Sequence, residues 1–174
     1  MSKGYYVADE GRPDRFEGGS YDEIRIRFRQ SEVPFGMSTE TQPAPVEPLN
    51  PYHLIGGAAA VRRITDRFYD IMNDSPEARA VRAMHSGDLA PMRQKLFEFM
   101  SGWLGGPNLY FERSDRKCMG SAHAPFNIGE TERDQWLACM YRSLEAEGID
   151  RELRKRIETA LFQVADMMCA PRRS

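Results

Sequence analysis

A chain of 174 residues is long enough for one domain with a single hydrophobic core. Its 24 Lys and Arg stand against 26 Asp and Glu, interspersed along the chain, so no basic stripe offers itself to nucleic acid or an acidic membrane. No apolar run reaches the roughly 18 residues of a transmembrane helix, and Met1-Ser2-Lys3-Gly4-Tyr5-Tyr6-Val7-Ala8-Asp9-Glu10 lacks the apolar core of a secretory signal, so the expected location is the cytoplasm.

Residues 1–50 differ from the rest of the chain. They hold six basic and nine acidic residues, the Gly18-Gly19 pair and a Pro-rich end, Pro43-Ala44-Pro45-Val46-Glu47-Pro48. Such a stretch has too little apolar surface to order itself and is expected to be a flexible extension with a semi-rigid linker. Within it, Tyr21-Asp22-Glu23-Ile24-Arg25-Ile26-Arg27-Phe28-Arg29 alternates apolar and charged side chains with period two. That pattern suits a half-buried strand or extended chain docked on a surface.

A helical domain is expected over residues 51–170. Tyr52, Leu54 and Ile55 suit a short first helix, ended by Gly56-Gly57 at a tight corner. Val61, Ile64, Phe68 and Ile71/Met72 then recur at helical spacing over residues 58–73. Asn73-Asp74-Ser75-Pro76 breaks that helix, and Pro76 opens a short one through Met84. Asp88 is the expected cap of a long helix striped by Leu89, Met92, Leu96, Phe99/Met100 and Trp103, which Gly105-Gly106-Pro107 ends. Residues 108–120 read as a polar loop with little pattern. Trp136, Leu137, Met140 and Leu144 mark the next helix, ended by Gly148. Leu153, Ile157, Ala160/Leu161, Val164 and Met168 mark the last, stopped by Pro171. The spacing alone also fits a four-helix bundle.

The cysteines are Cys118, Cys139 and Cys169, widely spaced and without a Cys-x-x-Cys pair, so neither a disulfide framework nor a zinc site is expected. Cys139 reads as a small buried hydrophobe. Cys118, beside Arg116 and Lys117, is the more accessible thiol.

One stretch stands apart: Ser121-Ala122-His123-Ala124-Pro125-Phe126-Asn127-Ile128-Gly129-Glu130. Pro125 lacks an N–H and biases Ala124 away from helical geometry, so a helix carrying His123 must stop there. A new helix is expected near Thr131, with Thr131-x-x-Asp134 as a loose capping box. The imidazole thus sits at a corner between apolar helices. On these residues alone, a capping or core-edge histidine is the ordinary reading, and a metal ligand facing a buried slot is the sharper one.

His123-Ala124-Pro125-Phe126-x-Ile128, followed by Glu132-Arg133-Asp134-x-Trp136-Leu137-x-Cys139-Met140, resembles the group II truncated haemoglobins. The resemblance extends upstream to Asp66-Arg67-Phe68-Tyr69-Asp70 and to Phe99-Met100-Ser101-Gly102-Trp103-Leu104-Gly105-Gly106-Pro107, in the family's order. It implies an all-α, two-over-two helical sandwich and haem b as cofactor. His123 would then be the proximal axial ligand to iron through one ring nitrogen, with its other N–H on an acceptor such as a backbone carbonyl. By the same resemblance Tyr69 is the distal tyrosine, and Trp136 is the tryptophan whose indole only donates. His85 stands where members carry Tyr, Phe or His. These three are expected to donate hydrogen bonds to a diatomic ligand, with Met92 and Leu96 as apolar wall; Met92 is larger than the residue common there. Phe99 and Phe126 complete the expected cofactor-binding set. Each distal residue also has a plainer reading: core edge for Tyr69, aromatic anchor for Trp136, surface residue for His85.

The sequence departs from the family at one point. An arginine usually precedes the proximal histidine, after a Gly-His-Pro-Arg-like loop, and helps hold the haem propionates. Here Asp115-Arg116-Lys117-Cys118-Met119-Gly120-Ser121-Ala122 takes that place. Ala122 cannot pair with a propionate, which leaves Arg116 or Lys117 for the role.

The function so implied is binding of dioxygen, carbon monoxide and nitric oxide with slow release. A hydrogen bond to a charged acceptor is worth about 1.5–3 kcal/mol, and about 1.4 kcal/mol is tenfold in rate or affinity. Retention of that order argues against bulk oxygen transport and for scavenging, redox or detoxifying chemistry, with a reductase and a homodimer as the expected protein partners. Two other readings are open: a gas or redox sensor acting through the N-terminal extension, and a haem-free helical scaffold, which the departure at Ala122 keeps open.

Overall fold

The computed structural model describes residues 50–115 and 118–169, and among them every regular element is a helix. In chain order these are α1 (Pro51–Leu54), α2 (Gly57–Asp74), a 3-10 turn (Pro76–Ala78) running into α3 (Arg79–Ala83), α4 (Ala90–Trp103), α5 (Met119–His123), α6 (Glu130–Ala146) and α7 (Arg151–Met167). The N-terminal extension with its alternating segment lies outside the described residues, as do Arg116, Lys117 and Pro171.

α1 is short because it is anchored at both ends. The Asn50 side chain accepts from the His53 N–H at 3.1 Å and donates to the Gly105 carbonyl at 2.7 Å. The Tyr52 N–H reaches the Leu104 carbonyl at 3.0 Å, tying α1 to the end of α4. Leu54 is 52 % exposed, since a four-residue helix buries one face and that face is Pro51 and Tyr52. The turn into α2 uses Gly56 at φ 105° and Gly57 at φ 66°, consecutive left-handed positions that only glycine holds cheaply.

α2 then supplies the centre of the molecule. Val61, Ile64, Phe68 and Met72 fall on one face and are buried, as the spacing predicts. α2 packs on α4, α6 packs on α7, and α2 lies across α6, so two helix pairs enclose one core. Ile64, Phe68, Met72, Met100, Met140, Leu144, Ile157 and Leu161 are each less than 2 % exposed. Each contributes on the order of 1.5–3 kcal/mol of burial. The buried hydroxyls stay on their own helices, Ser101 donating to the Phe97 carbonyl at 2.7 Å and Ser143 to that of Met140 at 2.7 Å. At the far end of the α2–α6 crossing, the Glu147 carboxylate receives the Arg63 guanidinium and, at 3.4 Å, that of Arg67.

Two helix starts differ from expectation. α6 begins at Glu130 behind Gly129, and Glu132 Oε2 accepts the Gly129 N–H at 2.9 Å. Glu132 is thus the residue that reaches back, and the Thr131–Asp134 pairing does not form, because the helix starts one residue earlier. α4 begins at Ala90, two residues after Asp88, whose side chain accepts the Ala90 N–H at 2.9 Å. At the other end of the chain, α7 stops at Met167, leaving Met168 as its cap and not as a core residue.

Candidate functional site

The site grows out of the middle of α2. Phe68 faces the core, and Tyr69, one step round the helix, is only 4 % exposed. The Phe68 ring lies 4.8 Å from that of Tyr69 and 5.1 Å from that of Trp136 on α6. One aromatic spacer therefore gathers two polar aromatics from different helices. Among the described residues, neither the Tyr69 hydroxyl nor the Trp136 indole N–H has a hydrogen-bond partner. Burial pushes the Tyr69 phenol well above its ordinary pKa, with the nearby Arg93 charge opposing, so the hydroxyl keeps its proton and remains a donor.

Arg93 also locks the frame. Its guanidinium donates to the Asp66 carbonyl at 2.5 Å and to the Asp70 carboxylate at 2.6 Å, and it lies 5.7 Å from the centre of the Tyr69 ring. α4 is thereby latched to α2 beside the tyrosine. Sequence reasoning passed over Arg93, although Asp66 and Asp70, four apart on one helix face, form a socket for a cation from another helix.

His85 stands on the turn between α3 and α4, its ring 5.8 Å from Tyr69 and edge-on to it. Its Nδ1 lies 2.8 Å from the Val81 carbonyl. A carbonyl oxygen only accepts, so Nδ1 carries the proton and, in the neutral ring, Nε2 carries the lone pair. Burial lowers the pKa of the ring, with the charges of Arg82 and His123 adding to the effect, and favours that neutral form. As such, the ring's remaining acceptor is Nε2. So bonded, the neutral ring is set apart from the expected donors Tyr69 and Trp136. The turn is held by Arg82, which donates to the Ser86 carbonyl at 3.0 Å, and α3 is pinned to α6 by the Val81 N–H on Gln135 Oε1 at 3.0 Å.

His123 closes α5. That helix does stop before Pro125, yet Ala124 keeps helical angles (φ −53°, ψ −35°), and its N–H still bonds the Gly120 carbonyl at 2.8 Å. The pre-proline bias is thus overridden for one residue, and the chain turns through the Phe126 N–H on the His123 carbonyl at 2.9 Å. His123 Nδ1 lies 2.7 Å from the Met119 carbonyl, so its lone pair too is on Nε2. The ring is half-buried, and α5 has no buried residue and touches its neighbours sparsely.

Not every expected residue joins this group. Met92 and Leu96 are half-buried and lie against the core. Phe99 is 4 % exposed in an aromatic cluster with Trp103, Tyr110 and Phe111, at 6.4, 6.0 and 6.1 Å. The expected patternless loop after α4 therefore contributes Tyr110 and Phe111 to packing. Phe126 is 45 % exposed and, with His123, lines a groove of about 240 Å³ against Met167, Met168 and Cys169 at the end of α7. Cys139 is buried as expected, and Cys118 is exposed.

Residues 50–170 match the family model of the bacterial-like globins. The group 2 truncated hemoglobin YjbI of Bacillus subtilis is 30 % identical over 105 residues, covering 60 % of this chain and 76 % of that protein. Among solved structures, the cold-adapted truncated hemoglobin of the Antarctic bacterium Pseudoalteromonas haloplanktis TAC125 superposes with a TM-score of 0.68 at 37 % identity, over 71 % of this chain and 100 % of the other. The group II 2-on-2 hemoglobin of Agrobacterium tumefaciens gives 0.69 at 35 % identity, over 72 % and 98 %. With α2 and α4 packed on α6 and α7 in the same architecture, the chain belongs to the bacterial-like globins and folds as a group II, two-over-two truncated haemoglobin.

Proposed function

We propose that this globin carries haem b with His123 Nε2 as the axial ligand to iron, and holds dioxygen, carbon monoxide or nitric oxide against the Tyr69 hydroxyl and the Trp136 indole N–H. The observation that carries this reading is the pair of partnerless donors around Phe68. Neither donor is spent on a described protein group, and a diatomic ligand bearing partial negative charge supplies an acceptor for both. His123 fits the opposite requirement, because its Nδ1–H is committed to the Met119 carbonyl and its free lone pair is on Nε2. Haem iron supplies the reversible bond to the diatomic ligand. The chain's part is to hold one imidazole in a fixed tautomer and to aim two donors.

Two donated bonds, each of about 1.5–3 kcal/mol, slow ligand escape by orders of magnitude. This reading therefore favours retention, with redox or detoxifying chemistry fed by an external reductase, over bulk transport. Ala122 gives the propionates no partner, and we assign that role to Arg116 and Lys117.

His123→Ala tests the reading. The purified variant should lose the Soret band that the wild-type chain shows on haem addition, and the alkaline pyridine spectrum of the wild type should be that of haem b. A variant with an unchanged ferrous spectrum, with and without carbon monoxide, overturns His123 as ligand.

A further inference from the structure

The buried Tyr69 ring has neighbours of two kinds. Phe68 stands 4.8 Å from it and His85 5.8 Å, both edge-on, while the Arg93 guanidinium carbon lies over the ring, 5.7 Å from its centre. Arg93 comes from α4, and it is attached to α2 at two points. Nη1 donates to the Asp66 main-chain carbonyl at 2.5 Å, and Nη2 donates to Asp70 Oδ1 at 2.6 Å. These points bracket Tyr69 along α2, three residues before it and one after. A surface ion pair would account for the Asp70 bond alone, since that carboxylate is 63 % exposed and exposed pairs contribute little. It would not account for the second bond, made to main chain. Nor would it account for a guanidinium only 25 % exposed within cation–π range of a buried phenol. Arginine suits this arrangement because its planar fork sets two N–H groups at a fixed separation, where a lysine amine is a single point on a flexible stem. Its charge also opposes the effect of burial on the phenol, which sharpens the hydroxyl as a donor.

We propose that Arg93 is a positioning residue for Tyr69, and through it the residue that sets the preference of the protein for dioxygen over carbon monoxide. The forked guanidinium fixes the register of α4 on α2, so the phenol ring keeps one orientation and its hydroxyl one direction. The gas preference rests on the haem reading above; the orientation of the ring does not. Dioxygen gathers partial negative charge when bound and carbon monoxide little, so a misdirected hydroxyl loosens the first and hardly the second. A displacement of about 1 Å is enough to spoil an oriented interaction of this kind.

The test uses the full chain with its tyrosines isotopically labelled at Cζ for nuclear magnetic resonance. Without haem, the line that Tyr69→Phe removes should be single in the wild type. It should shift or split in Arg93→Met, while the other tyrosine lines stay in place. Loaded with haem b, Arg93→Met should release dioxygen about tenfold faster and carbon monoxide at nearly the wild-type rate. The double variant Arg93→Met/Tyr69→Phe should release dioxygen no faster than Tyr69→Phe alone, because both changes remove one interaction. Should Arg93→Met fail to fold, Arg93→Lys replaces it, and with one point of attachment in place of two it should show the same changes in smaller measure. An unmoved Tyr69 line overturns the proposal, as does equal acceleration of both gases or a double variant in which the two effects multiply; each of these leaves the haem reading standing. Absence of any Soret band overturns the haem reading and the gas preference with it, and the Tyr69 line then decides the positioning role by itself.

Discussion

Along the seam between α2 and α6, Ile64, Phe68, Met72, Met140 and Leu144 are all less than 2 % exposed, whereas α5, which carries His123, has no buried residue. The first region is filled by its own side chains. The second is a helix of five residues, held by few neighbours, whose histidine has spent one ring nitrogen on its own backbone. Folding free energy and ligand affinity are therefore drawn from different parts of the molecule, and substitutions should separate them.

The largest effect is expected in the seam. Leu144→Ala should destabilise the haem-free protein by about 2–5 kcal/mol in urea denaturation, through lost burial and the cavity left behind. A loss below about 1 kcal/mol would mean the seam collapses freely and does not hold the fold. Next comes Tyr69→Phe, which removes a hydroxyl and keeps the ring. It should raise the dioxygen dissociation rate roughly ten- to a hundredfold, the equivalent of one charge-assisted bond of about 1.5–3 kcal/mol. Carbon monoxide, less charged when bound, should be released at nearly the wild-type rate. The reverse pattern in a stopped-flow experiment would return Tyr69 to the core edge. Gly106→Ala probes the joint between α1 and α4, where an added Cβ would lie 2.5 Å from Cδ2 and 2.6 Å from Cγ of the Tyr52 ring. The cost should be about 1–3 kcal/mol in thermal or urea unfolding, and a neutral result would show Tyr52 free to yield. The smallest effect belongs to α5. An added Cβ at Gly120 meets nothing within 4 Å, so Gly120→Ala should stabilise the haem-free protein by about 0.5–1 kcal/mol through helix propensity. A marked loss there would place α5 in the core.

Legibility in the sequence followed the same division. The stripe Val61, Ile64, Phe68, Met72 was readable because helical periodicity records burial directly. The family itself was readable from the ordered motifs around Tyr69, Trp103, His123 and Trp136. The exposure of Leu54 was not readable, because periodicity cannot say which side of a four-residue helix is covered. The packing of Tyr110 and Phe111 on Phe99 left no periodic trace, since loop residues follow no repeat. Nor can residue identity reveal a tautomer. That His85 is an acceptor rests on the position of one carbonyl, that of Val81, and position is what a sequence withholds.

Gln135 and Trp136 are consecutive on α6, yet they face different tasks: Gln135 holds the Val81 N–H at 3.0 Å, and Trp136 packs on Phe68. Val81 in turn holds the His85 ring through its carbonyl. Residues adjacent on a helix move as one rigid piece, so a displacement that pushes the indole turns the same segment of α6 against α3. The Trp136 indole and the His85 imidazole are thus geared together through a single glutamine. Cutting that gear with Gln135→Ala would let each move on its own.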